Sequence, residues 1–301
     1  MPSNRPTRDT PEGRAYLDLQ NLARRRQRPT DELHQLYALE GFLARLANSP
    51  YAENFVLKGG VLLAAFDTRR PTRDVDLSAD RLPGDPDAMR EVIRRIAAIP
   101  LDDGLNLHPD SANAETIRDE NDYAGVRVTL TATLSVARLT FHIDINIGDP
   151  VYPAPQPIAL PRLLGGTLQI TGYPLTMVLA EKIVTMIQRG TANTRWRDFL
   201  DVYTLTRHQP LDGEHLHASM TTVATHRQTP LTPLTEVLAG FAPLAQARWA
   251  AWHRRQQLAA TAPENFTDIL TAVTTFADPA ITGHTKTLIW KPDTLTWQDR
   301  T

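Results

Sequence analysis

In the stretch Asn54-Phe55-Val56-Leu57-Lys58-Gly59-Gly60-Val61-Leu62-Leu63-Ala64-Ala65-Phe66, a short β-favouring run meets a glycine pair and then an unbroken apolar run. The pattern predicts a strand, a glycine turn and a helix. Glycines at such a turn allow close approach of a phosphate to the backbone, and free amides at a helix start favour an anion. Gly59 and Gly60 are therefore candidate phosphate-binding residues, with Lys58 beside them a weaker candidate.

Downstream, after the basic loop Arg69-Arg70-Pro71-Thr72-Arg73, Asp74-Val75-Asp76-Leu77 alternates polar and apolar as a half-buried strand does. Both aspartates then project from one face. An alternating strand is also predicted over residues 126–136, turning near Ala137-Arg138 into a partner over 139–147. On that partner Leu139, Phe141, Ile143, Ile145 and Ile147 form the apolar face, while Thr140, His142, Asp144 and Asn146 form the polar one. Carboxylates at i and i+2 on one strand, with a third on a neighbour, make an oxygen ligand set for one or two divalent ions. Asp74, Asp76 and Asp144 fit that arrangement, with magnesium or manganese as the metal. A D-x-D alone is more often a solvated strand or turn, and a glycine pair alone is usually a turn. Their order and spacing carry the assignment. Arg127 faces the polar side of its strand, where it is a candidate triphosphate contact.

Around this centre, residues 12–48 read as two helices interrupted near Pro29-Thr30, with Thr30 as a cap for the second. A further helix is predicted around residues 85–98. The prolines at 150, 153, 155, 157 and 161 mark a boundary, giving a β-containing domain over 1–160 with a helical lead-in and a helical domain over 161–301. In the latter, Pro174 opens a helix through Arg189, Trp196, Phe199, Leu200 and Tyr203 mark another, and residues 233–260 and 264–276 are also predicted helical. The fold class is α/β (α+β). Within it, Trp249, Trp252, His253, Arg254 and Arg255 read either as an RNA grip or as a helix packed by its tryptophans, the second being favoured.

The chain of 301 residues is 42% hydrophobic and 22% charged, with 32 basic and 34 acidic side chains and a formal charge of -2. Near-neutrality excludes a strong global field, so a polyanion would have to be drawn by a local patch. With no cysteine, a metal must sit on oxygen or imidazole ligands. The N-terminal segment MPSNRPTRDTPEGR lacks an apolar signal core, and no run approaches the roughly 18 apolar residues of a membrane helix. The expectation is a cytoplasmic protein with no membrane partner.

The chain resembles the AbiEii and MenT type toxins of the polymerase-beta-like nucleotidyltransferase superfamily. The resemblance runs through residues 49–60 (SPYAENFVLKGG), 70–77 (RPTRDVDL), Tyr123-Ala124-Gly125-Val126-Arg127, Ile143-Asp144-Ile145, Gly148-Asp149, Ala180-Glu181-Lys182 and 195–201 (RWRDFLD). It implies a mixed sheet of that superfamily with N-terminal helices and a helical C-terminal region. It implies metal on Asp74 and Asp76, nucleotide phosphates on Lys182, and a catalytic aspartate at Asp198 or Asp201. Asp198 and Asp201 lie three apart on one helix face, opposite the apolar stripe. Taken without the resemblance, Lys182 is an ordinary surface lysine and Asp201 a partner of Arg197 at i,i+4. Relatives often carry Lys where this chain has Arg197, which makes Arg197 a phosphate or RNA contact.

The activity so implied is that of a bacterial toxin in a toxin–antitoxin or phage-defence pair, adding nucleotides from an NTP to RNA at the tRNA 3′ end. Asp144 or Asp198 would orient or deprotonate the acceptor hydroxyl. Thr72 occupies the place where some relatives are silenced by phosphorylation, so the cognate antitoxin is either a helix-turn-helix regulator or a kinase acting on Thr72. The alternatives are nucleotidyl transfer to a protein or small molecule, and NTP binding without turnover. His142, Arg69, Arg70 and Arg73 remain open between site and structural roles.

Overall fold

The computed structural model describes residues 5–118 and 124–300. Residues 1–4, and Tyr123 of the Tyr-Ala-Gly-Val-Arg motif, lie outside the described residues. The chain divides into two compact units, 1–149 with 155–173, and 150–154 with 174–301.

The first unit opens with α1 (Pro11–Arg26) and α2 (Thr30–Ala47). Thr30, expected as the cap of α2, is instead its first helical residue, and Pro29 holds the cap position without a side-chain bond. The fixed φ of proline already sets the entry. Then come β1 (Phe55–Lys58), the one-turn α3 (Gly59–Leu62) and a 3-10 turn over Leu63–Phe66. Next are β2 (Asp74–Ala79), α4 (Pro86–Ala97), β3 (Leu105–Arg118), β4 (Ala124–Leu134), β5 (Ala137–Ile147), β6 (Gln156–Pro161) and β7 (Thr167–Gly172).

The seven strands form one mixed sheet in the order β3-β4-β5-β2-β1-β7-β6. The β2–β5 and β1–β7 pairs are parallel and the rest antiparallel. The hairpin between β4 and β5 turns at Ser135-Val136, two residues before the expected Ala137-Arg138, because Ser135 accepts a left-handed φ of 52°. Strands β6 and β7 extend this unit past the boundary expected at 160. Pro157 and Pro161 are tolerated there because β6 is an edge strand.

Alternation sorts the two faces of the sheet. Val75, Leu77, Val128, Leu130, Phe141, Ile143 and Ile145 are fully buried on one face. That face is covered by α2 and α4, with Phe42 of α2 lying 6.1 Å from Phe141 between ring centroids. Each such side chain contributes about 1.5–3 kcal/mol of burial. The opposite face carries the charged residues.

The second unit comprises α5 (Leu175–Arg189), α6 (Trp196–His208), β8 (Leu211–Asp212), α7 (Gly213–His226), α8 (Leu234–Val237), α9 (Phe241–Gln256), α10 (Phe266–Ile281), β9 (Leu288–Lys291) and β10 (Thr296–Asp299). The segment 233–260, expected as one helix, is broken between α8 and α9 by Gly240 in the left-handed region. Trp196, Phe199, Phe241, Trp249 and Phe266 stack into one aromatic core. Trp249 also donates to the Pro263 carbonyl at 3.2 Å, so the tryptophans of α9 pack the helix. Among the described residues, no helix is long and apolar enough to cross a membrane.

Candidate active site

Sheet register builds the site. Lys58 of β1 lies opposite Asp76 of β2, Asp76 lies opposite Asp144 of β5, and Asp144 lies opposite Arg127 of β4. Directly opposed residues share a face and sit about 4.5–5.5 Å apart at Cβ. Four ionisable side chains therefore form one row across four strands, on the face away from α2 and α4. Asp74 begins the neighbouring row, opposite His142, which in turn lies opposite Thr129.

Within the row the charges are paired at its ends and crowded in its middle. Arg127 grips Asp144 with both arms, Nε to Oδ1 and Nη2 to Oδ2 at 2.7 Å each. Lys58 Nζ lies 3.0 Å from Asp149 Oδ2 and 5.6 Å from the centre of the Tyr173 ring. Asp76 is pushed up to about 6, first by burial, then by the Asp144 charge, with Asp74 adding and Lys58 opposing. Arg127 is held above its usual range, chiefly by its hydrogen bonds to Asp144.

The glycine pair is fitted to this carboxylate. Gly59 has a φ of 66°, and a Cβ there would overlap Asp76 Oδ2. The Gly60 amide donates to the same oxygen at 3.3 Å. A Cβ at Gly60 would crowd Thr72, whose hydroxyl would be 2.9 Å away. Thr72 is itself 7% exposed, so any modification of its hydroxyl requires the loop to open.

Oxygen chemistry suits a hard cation here. Asp74 and Asp76 face the same way, and crowding of Asp76 by two other acids is relieved by added positive charge. Among the described residues, no three His, Asp or Glu side chains converge as a self-contained cage. Asp144 has both oxygens on Arg127. Two carboxylates completed by phosphate oxygens are nonetheless the usual environment of magnesium.

In the second unit Lys182 Nζ of α5 lies 3.0 Å from Asp198 Oδ1 and 2.7 Å from Asp201 Oδ2, both on α6. Arg195 Nε reaches the other Asp198 oxygen at 3.1 Å. Lys182 is thus no ordinary surface lysine, and Asp201 engages it across helices. Both aspartates are buried, at 7% and 4% exposed, rather than turned away from the apolar side of α6. The reason is that α5 supplies their cation inside the unit.

The remaining candidates take structural partners. His142 Nδ1 meets Thr129 Oγ1 at 3.0 Å. Arg69 is spent on Glu40 and the Pro161 carbonyl, while Arg70 reaches the Pro71 carbonyl at 3.2 Å. Asp149, the partner of Lys58, and Glu40, the partner of Arg69, escaped sequence reasoning. Asp149 carried one signal, its place in the Gly148-Asp149 motif, and Glu40 carried none.

The profile of a nucleotidyl transferase family, the AbiEii toxin of type IV toxin–antitoxin systems, matches residues 41–272. Among solved structures, JHP933 from Helicobacter pylori is similar with a TM-score of 0.51 at 16% identity, covering 84% of this chain and 94% of that one. A second H. pylori structure, a provisionally assigned nucleotidyltransferase, gives 0.49 at 14% identity, covering 84% and 96%. The first shows a shared fold. No curated protein matches the chain.

Proposed function

The chain belongs to the AbiEii nucleotidyl transferase toxin family of type IV toxin–antitoxin systems, and from that membership we propose that it transfers a nucleotide from an NTP to RNA, at the tRNA 3′ end, to block translation. The carrying observation is the row Lys58, Asp76, Asp144 and Arg127, with Gly59 shaped around Asp76.

In this reading Asp74 and Asp76 would hold magnesium or manganese. When bound, the metal would neutralise phosphate charge as the acceptor oxygen bonds to the α-phosphorus and the bond to the departing pyrophosphate breaks. Gly59 and Gly60, lacking side chains, let the Asp76 carboxylate lie against the backbone of the turn, where the Gly60 amide donates to it, so in this reading the glycines seat the D-x-D. Arg127 and Lys58 supply fixed positive charge at the two ends of the row. Asp144, oriented by Arg127, takes the acceptor proton when an incoming ligand loosens that pair. Lys182 acts as a compact cation for phosphate, with Asp198 and Asp201 orienting it. A phosphorylated Thr72 would place a dianion against this acidic site and silence it, which is the form of control proposed for the antitoxin. The cellular role is defence against phage.

Incubation with total RNA, magnesium and each labelled NTP in turn tests the reading. Label should enter small RNAs with the wild-type chain and vanish with Asp74→Asn, whose circular dichroism should stay native. Transfer retained by Asp74→Asn, or label entering protein instead of RNA, would overturn it.

A further inference from the structure

Glu40 stands in the middle of α2 with 1% of its surface exposed. Oε1 accepts from Arg69 Nη1, and Oε2 accepts from the Leu163 amide at 2.9 Å. Arg69 also donates through Nη2 to the Pro161 carbonyl. One carboxylate thereby ties α2 to the loop of residues 67–73 and to the connection between β6 and β7.

That loop bears directly on the site. Its start is tied to the 3-10 turn, with the Thr68 amide and hydroxyl both on the Leu63 carbonyl at 3.1 Å. Its end carries Thr72, which packs against Gly60, and leads straight into Asp74. Between those points the loop has no helix or strand to fix it.

We propose that Glu40 and Arg69 are positioning residues, a buried clamp that sets the loop of residues 67–73 so that Thr72 seats on Gly60 and Asp74 and Asp76 enter β2 in a productive geometry. A buried ion pair adds little net stability over an apolar pair of equal volume. What it contributes here is direction. Both Glu40 oxygens face donors, so a carboxylate satisfies the arrangement and an amide of the same shape does not. The catalytic part of this inference rests on the nucleotidyl-transfer reading; the clamp itself does not.

Glu40→Gln presents an N–H2 group to one of the two donors, and Arg69→Lys keeps the charge but cannot reach both acceptors. Hydrogen exchange followed by mass spectrometry reads the loop, and label transfer reads catalysis. For Glu40→Gln we expect exchange in residues 68–75 to rise about tenfold, the cost of roughly one lost hydrogen bond. Exchange in α1 should not change. We expect kcat to fall about tenfold with KM for NTP within about twofold, since misplacement and not binding is affected. Arg69→Lys should fall between Glu40→Gln and wild type, and serves alone if Glu40→Gln does not fold.

Unchanged loop exchange overturns the clamp. Faster loop exchange with unchanged kcat overturns the catalytic role, and acceleration spread evenly over the first unit reduces the pair to general stability and overturns both. If the wild-type chain transfers nucleotide to no acceptor, the functional reading fails, while loop exchange still decides the clamp.

Discussion

Gly59 and Asp76 occupy one another's space: the left-handed backbone at residue 59 brings its missing Cβ into overlap with Asp76 Oδ2. A side chain at 59 therefore meets two penalties, an unfavourable φ and a carboxylate with little room to retreat. Gly59→Ala should lose at least about 1 kcal/mol of stability from backbone strain alone. It should lose nearly all transfer activity because Asp76 must move. Urea unfolding and label transfer check the two losses separately, and wild-type values in both would remove the fit between glycine and carboxylate.

Magnesium should stabilise the wild-type chain and raise its Tm in proportion to log concentration, as expected of a ligand that binds the folded state. Asp76→Asn, which removes one of the two facing carboxylates, should show almost no such rise. Chelator should reverse the wild-type shift. An equal magnesium response in both proteins would place the cation elsewhere.

The bidentate pair between Arg127 and Asp144 predicts strong coupling. With the Arg127 side chain 34% exposed and Asp144 15% exposed, solvent screening limits the interaction, and a double-mutant cycle with Arg127→Gln and Asp144→Asn should give roughly 1–2 kcal/mol. Arg127→Lys should recover little of it, because an ammonium cannot span both oxygens. Additive effects in chemical denaturation would contradict the pairing.

Lys182 neutralises two buried acids, Asp198 and Asp201. Removing it takes a buried cation from both, Asp198 keeping Arg195 on its other oxygen, so Lys182→Met should cost about 3 kcal/mol. Lys182→Met combined with Asp201→Asn should be less destabilised than Lys182→Met alone. If the double variant is instead the weaker protein by thermal unfolding, the triangle does not exist. Activity lost in Lys182→Met must be compared with this change in stability before it is assigned to phosphate binding.

His34 supplies the pH dependence. It is 5% exposed, its ring 4.6 Å from Tyr16 between centroids. Burial, the largest cause, lowers its pKa below the usual 6.5, against weaker raising effects from Tyr16 and Asp31. The folded state therefore prefers the neutral ring. Stability from this group is full above 6.5 and is lost as pH falls through 6.5 towards the lower folded value. His34→Leu should flatten the decline in Tm between about pH 7 and pH 5, and a slope identical to wild type would exclude His34 as its source.

Much of this protein is legible in its sequence because the deciding signals are local. The alternation of Phe141, Ile143 and Ile145 with His142 and Asp144 depends on the strand period alone, as does the shared face of Asp74 and Asp76. Strand β3 is less readable. As an edge strand with a register shift between His108 and Asn113, it is rich in polar residues and holds Pro109, so its period is broken. Helix α7, with its run of Thr and His, is likewise held by burial of Leu216, Met220 and Val223.

What the sequence by itself determined is which side chains face which way along each strand and helix. Only the tertiary structure decided who meets whom: Asp76 with Asp144, Asp144 with Arg127, Lys182 with Asp198 and Asp201, and Glu40 with Arg69. The physical reason is that facing comes from the backbone period of a few residues, whereas partnership depends on register between distant segments. Register is set by burial summed over the whole sheet or helix pair, and no single motif contains it.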